Sequence, residues 1–517
     1  MKMVKSLLLG SAAGLLAMSG AQAADLPVKA KAVEYVRICS LYGAGFWYIP
    51  GTDTCMKIGG YLRADVVVNT NSDNTGNTSG AGGANNRFTN GYTWRSREDL
   101  NLDTRTATEY GVVRTYWDAT FSWTTDSYAG NPAAPGSTVY SPIGGGAVAG
   151  VAGANVSPAS APNNANAGAV ANGTVGVYYA FIQFAGFTIG KAISQFSAPW
   201  TNYPGNNYDG LVGGGGTVTG VNQFSYTYEF GNGVSGTLSA QDQVAYYQAG
   251  VNNVTAGGFG ASDYAGTIAP DLVAMLRVDQ AWGLFQASFA AHDNHAAYYT
   301  STSELSGHPN DKWGFAGQLA LSIKNIPTGP GDTLNVQGVY TQGATRYNIQ
   351  DLAASAGANT IYSGTNVAGA YQSIGFGIAP DTIFAPGLQQ QLVETWGMRG
   401  GFTHNWSPFW NTSVYGAYAE VRYNAVSKGL ICGAGVFAAA TVTTCNPDYN
   451  IGQLGIITRW TPVKNLTFSA DFTYTHLDQK MAGLVTNASA AIAKPTALYE
   501  LKDQDTVLLL LRAQRNF

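Results

Sequence analysis

The chain has 517 residues, with 27 Lys and Arg against 31 Asp and Glu, for a formal net charge of −4. That balance argues against a nucleic-acid binder, which shows a basic patch or domain. Charged residues are only 11% of the chain, far below the roughly 25% of soluble globular domains, while glycine reaches 65 residues and aromatics 12%. Low charge without long apolar runs is what strands produce when they alternate between an apolar and an aqueous side. A secreted Gly/Asn-rich β-solenoid or adhesin has a similar composition.

Lys2 and Lys5, the apolar run Leu7 to Met18 and the small-residue site Ala21-Gln22-Ala23 read as a signal peptide over residues 1–23. The run is too short to span a bilayer as a helix, which takes about 20 apolar residues, and no other stretch approaches that length. The mature chain is therefore expected to start at Ala24 in an exported protein, with a charge of 25 − 31 = −6. Segment 24–54 is irregular and reads as an N-terminal extension, periplasmic or lumenal. The four cysteines allow three pairings. Proximity in sequence favours Cys39–Cys55 and Cys432–Cys445, each closing a short loop. No CxxC and no neighbouring histidine suggests a zinc site instead.

From 55 to 517 the sequence alternates with period two. Strands are expected at 56–68, 93–107, 111–125, 175–184, 187–193, 221–230, 233–246, 270–279, 282–292, 312–324, 332–344, 391–405, 408–423, 450–461, 465–478 and 503–517. In 312–324, Trp313, Phe315, Gly317, Leu319, Leu321 and Ile323 oppose Gln318, Ala320 and Ser322. In 466–475, Leu466, Phe468, Phe472 and Tyr474 oppose Ser469, Asp471, Thr473 and Thr475. Near 113–124, Trp117, Phe121 and Trp123 oppose Arg114, Asp118 and Thr120. The apolar faces carry aromatics towards their ends, as interfacial girdles demand.

The connections alternate too. Short ones at 109–110, 185–186, 231–232, 280–281, 325–331, 406–407 and 462–464 separate long ones at 69–92, 126–174, 194–220, 247–269, 293–311, 345–390, 424–449 and 479–502. That is the pattern of an all-β, sixteen-stranded antiparallel transmembrane barrel with periplasmic turns and extracellular loops. A solenoid shows a constant repeat length instead, and none is present. Loop 126–174 is Ala/Gly/Asn/Pro-rich and reads as a mobile surface loop.

Three stretches carry a family resemblance: Asp25-Leu26-Pro27, the run Val36 to Cys55, and Lys57-Ile58-Gly59-Gly60-Tyr61-Leu62-Arg63. With the terminal Arg515-Asn516-Phe517, they resemble the rhizobial-type alphaproteobacterial outer-membrane porins. The resemblance implies a homotrimeric general porin that passes small hydrophilic solutes. It implies partners too: outer-membrane lipid and lipopolysaccharide, and an assembly machinery that reads the last strand ending at Phe517. It also implies that the third long loop, 194–220, folds into the barrel and narrows it. That loop holds Pro199-Trp200, Tyr203-Pro204, the run Gly213 to Gly216, and one carboxylate, Asp209.

Strand parity then selects the inner wall. Ile58, Leu62, Ala64, Val66, Leu100 and Leu102 face lipid, so Tyr61, Arg63, Asp65, Arg95, Arg97, Asp99, Asp103, Arg105, Arg114 and Asp118 face the lumen. An Arg or Lys on the lipid side costs about 2–4 kcal/mol at the midplane. The five arginines are expected either to face Asp209 and set a transverse field, or to pair with Asp65, Asp99, Asp103 and Asp118 and merely solvate the wall. Tyr61, Tyr116, Trp200 and Tyr203 are candidates for a sugar slide in a substrate-selective channel; a non-conducting adhesin barrel is the third reading. His292-Asp293-Asn294-His295 is a weak metal pattern, no nucleophile–His–acid constellation or phosphate loop occurs, and nothing calls for a cofactor or an enzyme. In the last strand Leu508 and Leu510 break parity by pointing inward, so segment 24–54 or loop 194–220 is expected to cover them.

Overall fold

The computed structural model describes residues 37–68, 92–125, 174–216, 218–242, 244, 248–254, 264–300, 303–349, 372–487 and 497–517. The expected signal peptide, the first part of the N-terminal extension and loop 126–174 up to residue 173 lie outside these residues.

Sixteen antiparallel strands form one closed barrel: β1 (Cys55–Val68), β2 (Tyr92–Thr108), β3 (Gly111–Thr125), β4 (Thr174–Phe184), β5 (Phe187–Ala192), β6 (Val221–Gly231), β7 (Val234–Gln241), β8 (Asp271–Gln280), β9 (Gly283–Asn294), β10 (Lys312–Lys324), β11 (Thr333–Gln342), β12 (Glu394–Ser407), β13 (Trp410–Arg422), β14 (Tyr449–Val463), β15 (Leu466–Gln479) and β16 (Gln504–Asn516). Each strand pairs with its neighbours in sequence. The ring closes where β16 meets β1, from Tyr61 opposite Asn516 to Val68 opposite Leu509. The Phe517 amide donates to the Gly60 carbonyl at 3.1 Å. Closure gives every strand a partner on both sides, so no strand is left as a free edge, which is the condition for a sheet to exist in hydrocarbon.

The turns follow from their residues. Ala185 and Gly186 join β4 to β5, and Asn232 and Gly233 join β6 to β7, all four with positive φ, as two-residue hairpins of type I′ require. Outward positions are apolar: Trp313, Phe315 and Leu319 on β10, and Phe468, Phe472 and Tyr474 on β15. Near the short turns Trp410 stacks on Trp460 and Trp460 on Phe468, at 5.7 and 5.6 Å between ring centres. Two expected strands differ. The run 233–246 ends at Gln241. The run 391–405 breaks at Val393, which leaves the ladder because its amide donates to Asp381 and its carbonyl accepts from Gly343.

The described part of the N-terminal extension is a small hairpin, Trp47–Tyr48 pairing with Cys55–Met56. The Cys39–Cys55 disulfide staples it. At the other end the described parts of several long loops are folded. Gln372–Ile374, Ala497–Leu501, Ala482–Asn487 and Val442–Thr444 make one small sheet, and Gln391–Leu392, Thr382–Phe384 and Val251–Asn253 another. Helix α1 (Ala425–Cys432) starts at Asn424, whose side chain accepts from the Ser427 amide, and Cys432–Cys445 ties it down.

These loops share one apolar cluster with the inner faces of β13 to β16. Ile378, Ile383 and Ile431 meet Tyr415, Ile451, Ile457, Leu477, Leu508 and Leu510. Leu508 and Leu510 are only 3% and 1% exposed, and Tyr208 and Leu211 of loop 194–220 belong to the same cluster. Loop 194–220, rather than the described part of segment 24–54, thus shares their burial. One side of the interior is packed like a protein core.

The turn between β10 and β11 holds Asp332, which accepts from Thr328 (2.6 Å), His404 (2.7 Å) and the Asn405 amide (2.9 Å). Burial opposes its charge, but these hydrogen bonds outweigh it and hold the carboxyl at about 2, down from 3.8. A depressed carboxyl adds stability above its ordinary pKa, and that stability is lost as pH falls through the folded value. Wild type should melt above Asp332→Asn at pH 6, and the gap should close between about pH 4 and pH 2 in detergent thermal melts followed by circular dichroism.

Candidate pore constriction

A loop that enters a barrel carries its own amides and carbonyls, and each needs a partner once buried. Loop 194–220 leaves β5 and runs over the inner faces of β9 to β15, where long polar side chains meet it. Gln286 donates to the Ser197 carbonyl (3.0 Å), Gln318 to Phe196 (2.9 Å), Asn335 to Pro204 (2.8 Å) and Arg459 to Gly205 (2.8 Å). Arg399 reaches the carbonyls of Thr201 (2.5 Å) and Leu211 (3.2 Å). Trp200 donates to Gln337 at 2.7 Å.

The far end of the loop is held by acceptors. Asp471 takes the amides of Asn207 (2.7 Å) and Tyr208 (3.1 Å), and Gln453 takes that of Val212 (2.8 Å). Asp471 is itself fixed by the Tyr415 hydroxyl, whose ring lies over Gly455, so closely that a Cβ there has no room. The glycines Gly213 to Gly216 let the loop touch backbone: a Cβ on Gly215 would fall 2.7 Å from the Tyr347 carbonyl oxygen.

The opposite wall, β16 and β1 to β4, stays charged. Its register stacks inward residues in rungs. Starting at the short turns, the first rung is Cys55, Arg105, Arg114 and Gln183. Then come Lys57, Asp103, Tyr116 and Phe181; next Gly59, Asn101, Asp118 and Tyr179; next Tyr61, Asp99, Thr120 and Gly176. Arg63, Arg97 and Ser122 form the fifth, and Asp65 and Arg95 the sixth, with Arg512 of β16 opposite Asp65. Asp65 is buried among three guanidinium groups: Arg95 and Arg512 each at 2.7 Å, and Arg63 at 3.5 Å. Arg97 donates its Nε to Ser122 at 2.8 Å.

Across from these lie Tyr203 and Asp209, joined by a hydrogen bond from the phenol to the carboxylate. Asp209 interacts electrostatically with both Arg63 and Arg95, and Tyr203 with Arg63 and Arg512. Burial and the Asp209 charge push the Tyr203 phenol well above its ordinary value, against the pull of those arginines.

The five arginines expected at one site therefore divide. Arg63, Arg95 and Arg97 lie on the fifth and sixth rungs, by Asp209. Arg105 and Arg114 lie by the short turn, both bonded to Asp103 at 2.9 and 3.0 Å, with Phe46 of the N-terminal hairpin against Arg105 at 4.9 Å. They do not face Asp209, because the register puts them four rungs lower. The described ion pairs on this wall join Arg63, Arg95 and Arg512 to Asp65, and Arg105 and Arg114 to Asp103. Asp99 and Asp118 neighbour one another on adjacent rungs rather than each holding an arginine.

The expected sugar slide is not assembled as a unit. Tyr61 and Tyr116 lie on the charged wall and Tyr203 opposite, but Trp200 is turned away onto β11. The histidine pattern is split as well. His292 bonds Asp271 at 2.8 Å and lies 3.6 Å from Asp381, whereas His295 bonds Asp311 at 2.6 Å. Among the described residues no group of three or more His, Cys, Asp or Glu is placed to hold a metal.

Three features escaped the sequence reading. Arg512 was recoverable from the parity of β16. Arg399 and Arg459 were recoverable as inward charges on β12 and β14. Tyr178 and Tyr179 were not: a bulge between Asp118 and Ala119 in the β3–β4 pairing turns two consecutive residues inward.

A family model described as "Porin subfamily" matches residues 25–510. The chain belongs to this porin family. The porin is 34% identical to Porin Omp2b of Brucella suis biovar 1 over 296 residues, 56% of this chain and 66% of that relative. It is 35% identical to Porin Omp2a of Brucella ovis over 245 residues, 46% of this chain and 59% of that one. The matched part thus spans less than two thirds of these relatives' length. Among solved structures, the outer membrane channel DcaP of Acinetobacter baumannii shares the fold, with a TM-score of 0.56, 14% identity, and coverage of 91% of this chain and 99% of that one. Family and barrel place the porin in the Gram-negative outer membrane.

If Asp471 anchors the inserted loop, Asp471→Ala leaves two buried amides without acceptors, at about 1–3 kcal/mol each. Single-channel recordings should then show larger, noisier openings than wild type. An unchanged conductance step would show that the loop is held without Asp471.

Proposed function

We propose that the barrel is a water-filled channel for passive diffusion of small hydrophilic solutes and ions, filtered by the gap between loop 194–220 and the wall of β16 and β1 to β4. One observation carries the reading: Arg63, Arg95 and Arg512 crowd a single carboxylate, Asp65, while the loop opposite presents Asp209. Three guanidinium groups on one carboxylate leave a net +2 at this cluster, against −1 on the loop. Such a pair of faces orients water and dipolar solutes across the path and favours anions along the wall. Nothing in this mechanism requires bond chemistry.

The reading includes a homotrimer embedded in outer-membrane lipid and lipopolysaccharide, and a terminal strand that offers Phe517 to the assembly machinery. Glu98 supports the trimer. It points outward between Leu62 and Phe121, where lipid is a poor solvent for a carboxylate, so the outer face of β1 to β3 is the surface a second copy would cover.

Arg95→Ala with Arg97→Ala should shift the chloride-to-potassium permeability ratio several-fold towards potassium in planar bilayers at low salt, an effect that weakens as salt screens the wall. Unchanged selectivity and conductance would sink the field mechanism. Absence of any conductance in wild type would sink the channel itself.

A further inference from the structure

The charged wall carries more than a field. Arg63 stands directly opposite Arg97 in register, and like charges on facing strand positions repel. The only carboxylate within 4.0 Å of either, among the described residues, is Asp65, and Arg63 shares it with Arg95 and Arg512. The Nε of Arg63 is buried without a hydrogen-bond partner. Among the described residues Arg97 bonds Ser122 through Nε, which leaves its outer guanidinium edge for another acceptor. Within ion-pairing distance these two neighbouring guanidinium groups have one overcommitted counterion, with Asp209 and Asp99 acting on them only from further off, and that makes a place for an added anion.

Each of these arginines also lies against a ring: Arg63 over Tyr61 at 4.9 Å, and Arg97 over Tyr178 at 5.7 Å. Tyr178 is in the lumen because of the β4 bulge, which brings Tyr179 beside it at 6.4 Å, and Tyr116 lies 6.2 Å further on. Bulges commonly re-aim side chains next to functional sites. The result is a strip of aromatic faces leading to an anion-deficient pair of arginines.

We infer that this wall is a binding subsite for aromatic carboxylates, with the solute's carboxylate on Arg63 and Arg97 and its ring against Tyr61 and Tyr178. The inference rests on the channel reading above and names one class of solute the channel holds in transit. Guanidinium takes a carboxylate through two parallel hydrogen bonds, and the tyrosine rings offer offset or edge contacts to a second ring. Asp99 and Asp118 lie on the rungs beneath. They repel the carboxylate and so direct it up to the arginines, leaving the ring below. A neutral sugar would leave the guanidinium groups uncompensated, and an inorganic anion would have no use for the rings.

The test uses the full-length protein in planar bilayers with potassium chloride on both sides, and benzoate added stepwise to one side. Chloride current should fall saturably with benzoate, while acetate or inorganic phosphate should need at least about fivefold more for the same effect, the contribution of the ring contacts. Arg97→Gln and Tyr178→Leu should each raise the half-blocking benzoate concentration at least about fivefold, in protein whose β-sheet circular dichroism matches wild type. Equal potency of benzoate, acetate and phosphate, or wild-type block in well-folded Tyr178→Leu, would overturn the subsite. A channel that conducts without saturable block overturns only this inference, whereas one that passes no ions overturns the diffusion reading with it.

Discussion

The structure depends on how a loop's backbone is satisfied once it leaves water. Loop 194–220 brings a row of amides and carbonyls into the barrel, and the inner faces of β9 to β15 answer with Gln286, Gln318, Asn335, Arg399, Gln453, Arg459 and Asp471. An unpaired buried backbone group costs about as much as a lost hydrogen bond. The side of the wall that receives the loop is therefore amide-rich and becomes packed, and the far side alone remains available for passage.

That division explains the charge pattern. Arg399 and Arg459 lie among the buried contacts and each donates to loop carbonyls, Arg459 also bonding Asn411 and Ser413 of β13. On the opposite wall the arginines are held by carboxylates and rings, so their charge still acts on the gap. The extracellular loops reinforce the asymmetry, because their apolar cluster rests mainly on β13 to β16 and reaches β1 to β4 only at Val67. On the proposed reading, size selection and charge selection arise at one place from two unlike walls.

Much of this was legible in the sequence, for identifiable reasons. Period two is forced on any strand with lipid on one side and water or polar packing on the other, so 111–125 and 312–324 were readable to the residue. Both disulfides followed from proximity. The anomaly at Leu508 and Leu510 correctly signalled an inner face that is not bare. Height along the barrel was not legible, because the stagger between strands is a property of the closed ring. That is why Arg105 and Arg114 were grouped with arginines four rungs away. The break at Val393 was hidden because the partners that pull it out of the ladder, Asp381 and Gly343, are brought there by tertiary folding.

The bulge in β4 bears on how such a barrel diverges. Strand positions are locked in alternation, so a substitution can change a lumenal side chain but cannot add one. An inserted residue that bulges does add one, because it places Tyr178 and Tyr179 on the same side while Val177 and Ala180 stay outside and the flanking register is kept. Removing that one residue would restore the regular ladder and withdraw a ring from the passage with the wall otherwise intact. Single-residue length changes in one strand are therefore a route by which relatives of equal strand number acquire different linings.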